Sequence, residues 1–200
     1  MAARGRPRGF DRDKALRQAM TLFWRQGYEG TSLGDLTGAL GINKPSLYAA
    51  FGCKEALFRE AIDLYNIEGS PQGEPFRPGR SAKEAMAGLL HGFARAYADP
   101  DTPPGCMVVL AATIGTSESK SIQAHMSALR RKAQDDMRRQ VADALARDGL
   151  ADRADPARIA AFYTTVVQGL SIQARDGATR AELAVIVDDA LAAWDGLVGA

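Results

Sequence analysis

The stretch from Thr31 to Phe51 constrains this chain more than any other. Leu33, Leu36 and Leu40 recur at helical spacing, Gly41 interrupts them, and Leu47 and Phe51 resume the pattern four residues apart. Each segment spans only about two turns, too short to persist alone in water, so both need a shared core. Thr31 or Ser32 can cap the first segment. Asn43 caps the second, with Pro45 in its first turn, where a missing N–H costs nothing. Gly41 permits a bend that a side chain would crowd, and Ile42 is placed to pin it. Two short helices around a glycine turn let one helix cross a DNA backbone while the next enters the major groove.

If Leu36, Leu40, Ile42, Leu47 and Phe51 point inward, then Thr37, Asn43, Lys44, Ser46, Tyr48 and Ala49 point outward. Lys44 suits a phosphate or guanine O6/N7, and Ser46 is short enough for a base edge. Pro45 and Ala49 offer apolar surface to a thymine methyl, and Tyr48 can place its hydroxyl on a phosphate. Lys54 opens a fourth helix, where its charge adds to unpaired backbone donors; Thr31 and Ser32 stand similarly before the second helix. Each residue taken singly also reads as a solvated side chain or a cap. Upstream, Arg4, Arg6 and Arg8 alternate in a Gly/Pro-containing segment, residues 1–9, that reads either as a flexible basic arm for a minor groove or phosphates, or as a solvated tail. The first sixty residues carry ten Lys/Arg against six Asp/Glu and the rest 15 against 18, so the positive surplus lies at this end.

A first amphipathic helix is expected from Asp11 to Gly27, with Ala15, Leu16, Ala19, Met20 and Phe23 on its apolar side, and a fourth from Lys54 to about Ile67. Gly69 to Arg80, with three glycines and three prolines, reads as a linker. Helices follow near 81–98, 105–117, 120–148, 156–175 and 179–197, with no competing strand pattern. The expected fold class is all-α: arm 1–9, a three-helix helix-turn-helix DNA-binding domain 10–57, and a helical ligand-sensing and dimerisation domain 58–200. No apolar run suggests a membrane span or export signal, and a cytoplasmic location is expected. Cys53 and Cys106 lack metal-ligand spacing, as do His91 and His125, so no metal or other cofactor is expected. Nucleophile-elbow, phosphate-loop and dinucleotide motifs are missing, which points away from an enzyme.

The run Phe23-Trp-Arg-Gln-Gly-Tyr-Glu-Gly-Thr-Ser32, followed by Leu36 to Gly41, Ile42-Asn-Lys-Pro-Ser-Leu-Tyr-Ala-Ala-Phe51 and Lys54-Glu-Ala-Leu57, resembles the N-terminal domain of the tetracycline-repressor (TetR) family over roughly residues 10–65. The resemblance implies an all-helical homodimer that binds a palindromic double-stranded DNA operator and represses until a small-molecule effector enters its C-terminal domain. A ligand-activated or nonspecific DNA binder is the alternative. Asn43 stands where many relatives have serine, Ala49 and Ala50 where they have larger residues, and Cys53 where a better cap is common. Pro104-Gly-Cys-Met-Val-Val-Leu-Ala-Ala112 resembles a run in one branch of the family.

Under this reading, the last two helices supply dimer-interface residues from Ile159, Phe162, Val166, Leu170, Leu183, Ile186, Val187, Ala190, Leu191 and Trp194, unless these are buried within one subunit. An effector pocket, partly apolar, would draw on Phe93, Tyr97, Cys106, Met107, Leu110, Ile114, His125, Met126, Met137, Tyr163 and Gln168, all of which equally suit a core. Cys106 reads either as a small buried side chain or as a thiol open to an electrophile or oxidant.

Overall fold

The computed structural model describes residues 10–69 and 76–199. Arg4, Arg6 and Arg8 lie outside the described residues. Among those described, every regular element is helical: α1 (Arg12–Gly30), α2 (Leu33–Leu40), α3 (Lys44–Phe51), α4 (Lys54–Leu64), a π-helical turn (Tyr65–Gly69), α5 (Ala82–Tyr97), α6 (Met107–Leu110), a 3-10 turn (Ser117–Ser119), α7 (Lys120–Arg147), α8 (Pro156–Arg175), α9 (Arg180–Ala192) and α10 (Trp194–Leu197). They form two compact units that divide after Gly69. The boundary expected after residue 57 is thereby moved, because α4 packs with the first unit. Leu57, Phe58, Ala61 and Ile62 are completely buried, Phe58 meets Phe23 edge-on at 5.0 Å, and Tyr65 meets Trp24 at 4.7 Å.

Caps set most boundaries in the first unit. The Asp11 carboxylate accepts from the backbone N–H groups of Asp13 and Lys14 to open α1, whose regular turns are interrupted at Gly27. Ser32, not Thr31, caps α2 through a reciprocal box with Asp35. Asn43 opens α3 by accepting from the Ser46 N–H at 2.9 Å. Cys53 caps α4 through a weak acceptor, its Sγ accepting from the Ala56 N–H at 3.4 Å. After Leu64 the chain continues as a wider π turn to Gly69 in place of ordinary helix.

In the second unit α7 packs on α8 and α5 on α9. The Asp148 carboxylate accepts from the Ala82 N–H, Ser171 Oγ from the Cys106 N–H, and the Ala190 carbonyl from the Tyr163 hydroxyl. Burial pushes the Tyr163 phenol up to about 12. The helix expected over 105–117 is corrected to the four residues of α6. Gly105 and Cys106 are held against Ser171, and beyond the buried Ala111 and Ala112 the next apolar residue, Ile114, is 88% exposed. Without a surface to pack on, a segment this short gains too little to stay helical. The last helix also differs, breaking at Ala193 into α9 and α10.

Candidate nucleic-acid interface

The α2–α3 bend is built from a left-handed Gly41 at φ +65° and backbone bonds from the Gly41 N–H to Gly38 and from the Ile42 N–H to Thr37. Leu36 and Leu47 are fully buried beneath it, with Leu40 and Phe51 nearly so. This burial leaves Asn43, Lys44, Pro45, Tyr48 and Ala49 exposed on one outer surface, with Ser46 half-buried beside them. Ile42 is half-buried, less than a pin against the core requires. A hollow of about 310 Å³ runs along α3, lined by Phe10, Gly41, Ile42, Asn43, Ser46, Ala49 and Ala50. Phe10 is the residue at which segment 1–9 joins the domain, so that junction lies beside the outer surface of α3.

Three of the expected contacts change character. Thr31 is fully buried and its hydroxyl donates to the Gly27 carbonyl at 2.7 Å, so it is corrected from a DNA contact to a support for the turn before α2. Thr37 is half-buried and turns its hydroxyl back to the Leu33 and Gly34 carbonyls, both at 3.0 Å. Ser32 stays exposed, but Asp35 accepts from its N–H at 2.7 Å, and hydrogen bonds from Ser32 hold that carboxylate below its ordinary range. The first turn of α2 thus already holds an anion, which disfavours a phosphate there.

Lys54 sits at the start of α4 with its ammonium 4.3 Å from the centre of the Tyr28 ring. Burial lowers its pKa, and the carboxylates of Glu29 and Asp35 oppose that shift. Tyr28 is therefore an orienting group for Lys54. With the first helix expected to end at Gly27, spacing alone assigned Tyr28 no such role. Some of the cations of the first sixty residues are also held by carboxylates of the same unit. Arg12 pairs with Glu60, Arg17 with Glu68 and Arg59 with Glu55.

The residues proposed for an effector pocket are distributed among α5, α6, α7 and α8. Tyr97, Cys106, Met107, Met126, Met137 and Tyr163 are buried, whereas Phe93, Leu110, His125 and Gln168 are half-buried. Phe93 and Tyr97 pack together at 5.4 Å, and the Thr164 hydroxyl donates to Met137 Sδ. Ile114 is corrected out of this set by its exposure. Among the described residues no cluster of three or more His, Cys, Asp or Glu suits a metal, and no helix is long and apolar enough to cross a membrane.

The expected dimer residues divide sharply. Ile159, Leu170, Leu183, Val187 and Trp194 are at most 2% exposed and belong to the core of the second unit, which corrects their assignment. Val166, Ala190 and Leu191 are half-buried. Phe162 and Ile186 remain exposed and are joined by Ile172 and Val185, which helical spacing did not single out. Along α8 the positions 162, 166, 169 and 172 share one side, so this helix carries a second apolar stripe behind the one that it buries.

Comparison with known proteins places this geometry. The model of the bacterial regulatory proteins of the tetR family matches residues 15–61. The HTH-type transcriptional repressor ComR of Escherichia coli (strain K12) is 35% identical over 198 residues, covering 98% of this chain and 94% of that relative. The repressor BdcR of the same organism is 33% identical over 177 residues, covering 86% and 83%. A cysteine-substituted form of the TetR family regulator CifR, solved with a 26-base-pair operator duplex, superposes with a TM-score of 0.90 at 44% identity and covers 95% of this chain and 100% of its own. These relatives are transcriptional regulators and not enzymes, and on their full-length similarity this chain belongs to the TetR family of helix-turn-helix transcriptional repressors.

Proposed function

We propose that this chain acts as a homodimeric repressor in the cytoplasm, reading a palindromic operator with α3 and leaving it when a partly apolar small molecule binds the second unit. The observation that carries the reading is the outer surface of α3, where Lys44, Pro45, Ser46, Tyr48 and Ala49 are presented by a buried helix-turn-helix scaffold. Ser46 is its hydrogen-bonding base reader, Pro45 and Ala49 its methyl contacts, and Lys44, Tyr48 and Lys54 its phosphate contacts. The complex of CifR with operator DNA supports this assignment, as do the repressors ComR and BdcR. Arg4, Arg6 and Arg8 extend the contact from the junction at Phe10.

Dimerisation is supported by the exposed Phe162, Ile172, Val185 and Ile186 on α8 and α9, an apolar side that a second copy would cover. Paired heads read two half-sites about one helical turn apart, which supplies the selectivity that a single short helix lacks. The effector acts by preferring the arrangement of heads that does not match this spacing.

Selection of bound duplexes from a random pool with the purified chain tests the whole reading. The expected product is a palindrome bound at least ~10³-fold tighter than random DNA at stated salt, as a dimer. Equal binding to unrelated duplexes would replace the proposal with nonspecific binding. Tightening of the recovered complex by effector would reverse the direction of control.

A further inference from the structure

We propose that Arg12 is a positioning residue for the reading helix: it clasps the C-terminal end of α3 to α1 and α4, and is not itself a DNA-contacting cation. The inference rests on the reading that α3 enters the major groove. Three contacts converge on its guanidinium. Nε donates to the Ala50 carbonyl at 3.3 Å, Nη2 donates to both Glu60 oxygens at 2.9 and 2.7 Å, and the group lies 4.5 Å above the centre of the Phe51 ring.

Each contact addresses a weakness of α3. Ala50 lies in the last turn, where carbonyl groups have no partner within the helix. A cation there also faces the negative end of the helix dipole. The Phe51 side chain is the last one that α3 buries, and the guanidinium covers its ring. Glu60, in α4, holds the fork through Nη2. A planar guanidinium can reach a carbonyl and a carboxylate with its edge while stacking by its face, whereas a lysine ammonium satisfies one such demand at a time. Eight residues make α3 marginal without such support. If its end frayed in the free protein, the cost of ordering it would fall on DNA binding.

The test uses the full chain and the duplex recovered by selection, with affinities measured across a range of salt. Arg12→Lys and Glu60→Gln are compared with Lys44→Ala, a direct-contact variant, and hydrogen exchange follows the α3 amides in the free protein. Arg12→Lys and Glu60→Gln should each weaken binding about three- to tenfold with an unchanged salt slope, and should combine less than additively. Both should speed exchange at the end of α3. Lys44→Ala should instead reduce the salt slope by about 0.9. Tighter binding by Glu60→Gln would show Arg12 released onto a phosphate and would overturn the inference. Wild-type affinity and exchange in Arg12→Lys would overturn it equally, while leaving the groove reading intact if Lys44→Ala behaves as expected. Absence of any preferred duplex for the wild-type chain removes both readings.

Discussion

Gly41 and Gly105 allow the cost of a backbone conformation to be separated from the cost of crowding. Both are left-handed, at φ +65° and +77°. An added Cβ at Gly41 meets nothing within 4 Å, whereas at Gly105 it would lie 2.6 Å from the Ser171 carbonyl oxygen and 2.7 Å from Leu110 Cδ1. Conformation alone costs roughly 1–2 kcal/mol for an L residue. Loss of glycine's freedom in the unfolded chain offsets about 0.4–1 kcal/mol of that. Gly41→Ala should therefore destabilise by about 1 kcal/mol. At Gly105 the contact is with backbone, which cannot swing aside, and forced overpacking adds about 1–3 kcal/mol. Gly105→Ala should cost about 2–4 kcal/mol, a large share of the roughly 5–15 kcal/mol that typically separates folded from unfolded states. The two tryptophans report the two units separately, since Trp24 lies in the first and Trp194 in the second. Urea titration of protein labelled with 5-fluorotryptophan, followed by fluorine NMR at one protein concentration, resolves both transitions. Gly41→Ala should shift mainly the Trp24 resonance, and Gly105→Ala should shift the Trp194 resonance further. Equal costs for the two variants would refute the role assigned to the Ser171 backbone.

Glu84 and Glu182 are held below their ordinary value of 4.5 by hydrogen bonds from Ser81 and Thr179. Their contribution to stability is therefore present above that value and disappears as pH falls through the depressed one. The melting-temperature gap between wild type and the Glu84→Gln/Glu182→Gln variant should be widest near neutrality and close as acidification passes the depressed values; a constant gap would remove these boxes from the acid response. Cys53 is exposed and Cys106 only 8% exposed, so a thiol reagent should titrate one fast and one slow group, with Cys53→Ser abolishing the fast phase. Two fast phases in the wild-type chain would contradict the burial of Cys106.

Local chemistry made much of the head legible. Ser or Thr before Leu33, Asn43 before Lys44 and glycine at position 41 state where α2 and α3 begin and turn, because caps and left-handed bends depend on residues within a few positions of one another. Where such signals are weak, the structure departs from what local spacing implies. The Val108–Ile114 run, apolar enough for a helix, stops at Leu110.

Sequence alone determined the all-helical class, the helix-turn-helix pair and the outward set around Lys44, since each follows from short-range periodicity and capping. Tertiary structure decided which apolar stripe of α8 is core and which is left exposed, because Ile159 and Phe162 differ in what packs on them and not in their own chemistry. It also buried Thr31, joined α4 to the head, and brought Arg12 to Ala50 and Glu60 across 38 and 48 residues of chain. Such long-range pairings depend on the directions in which packed helices aim their side chains, and helical spacing within one segment does not encode where its neighbours will lie.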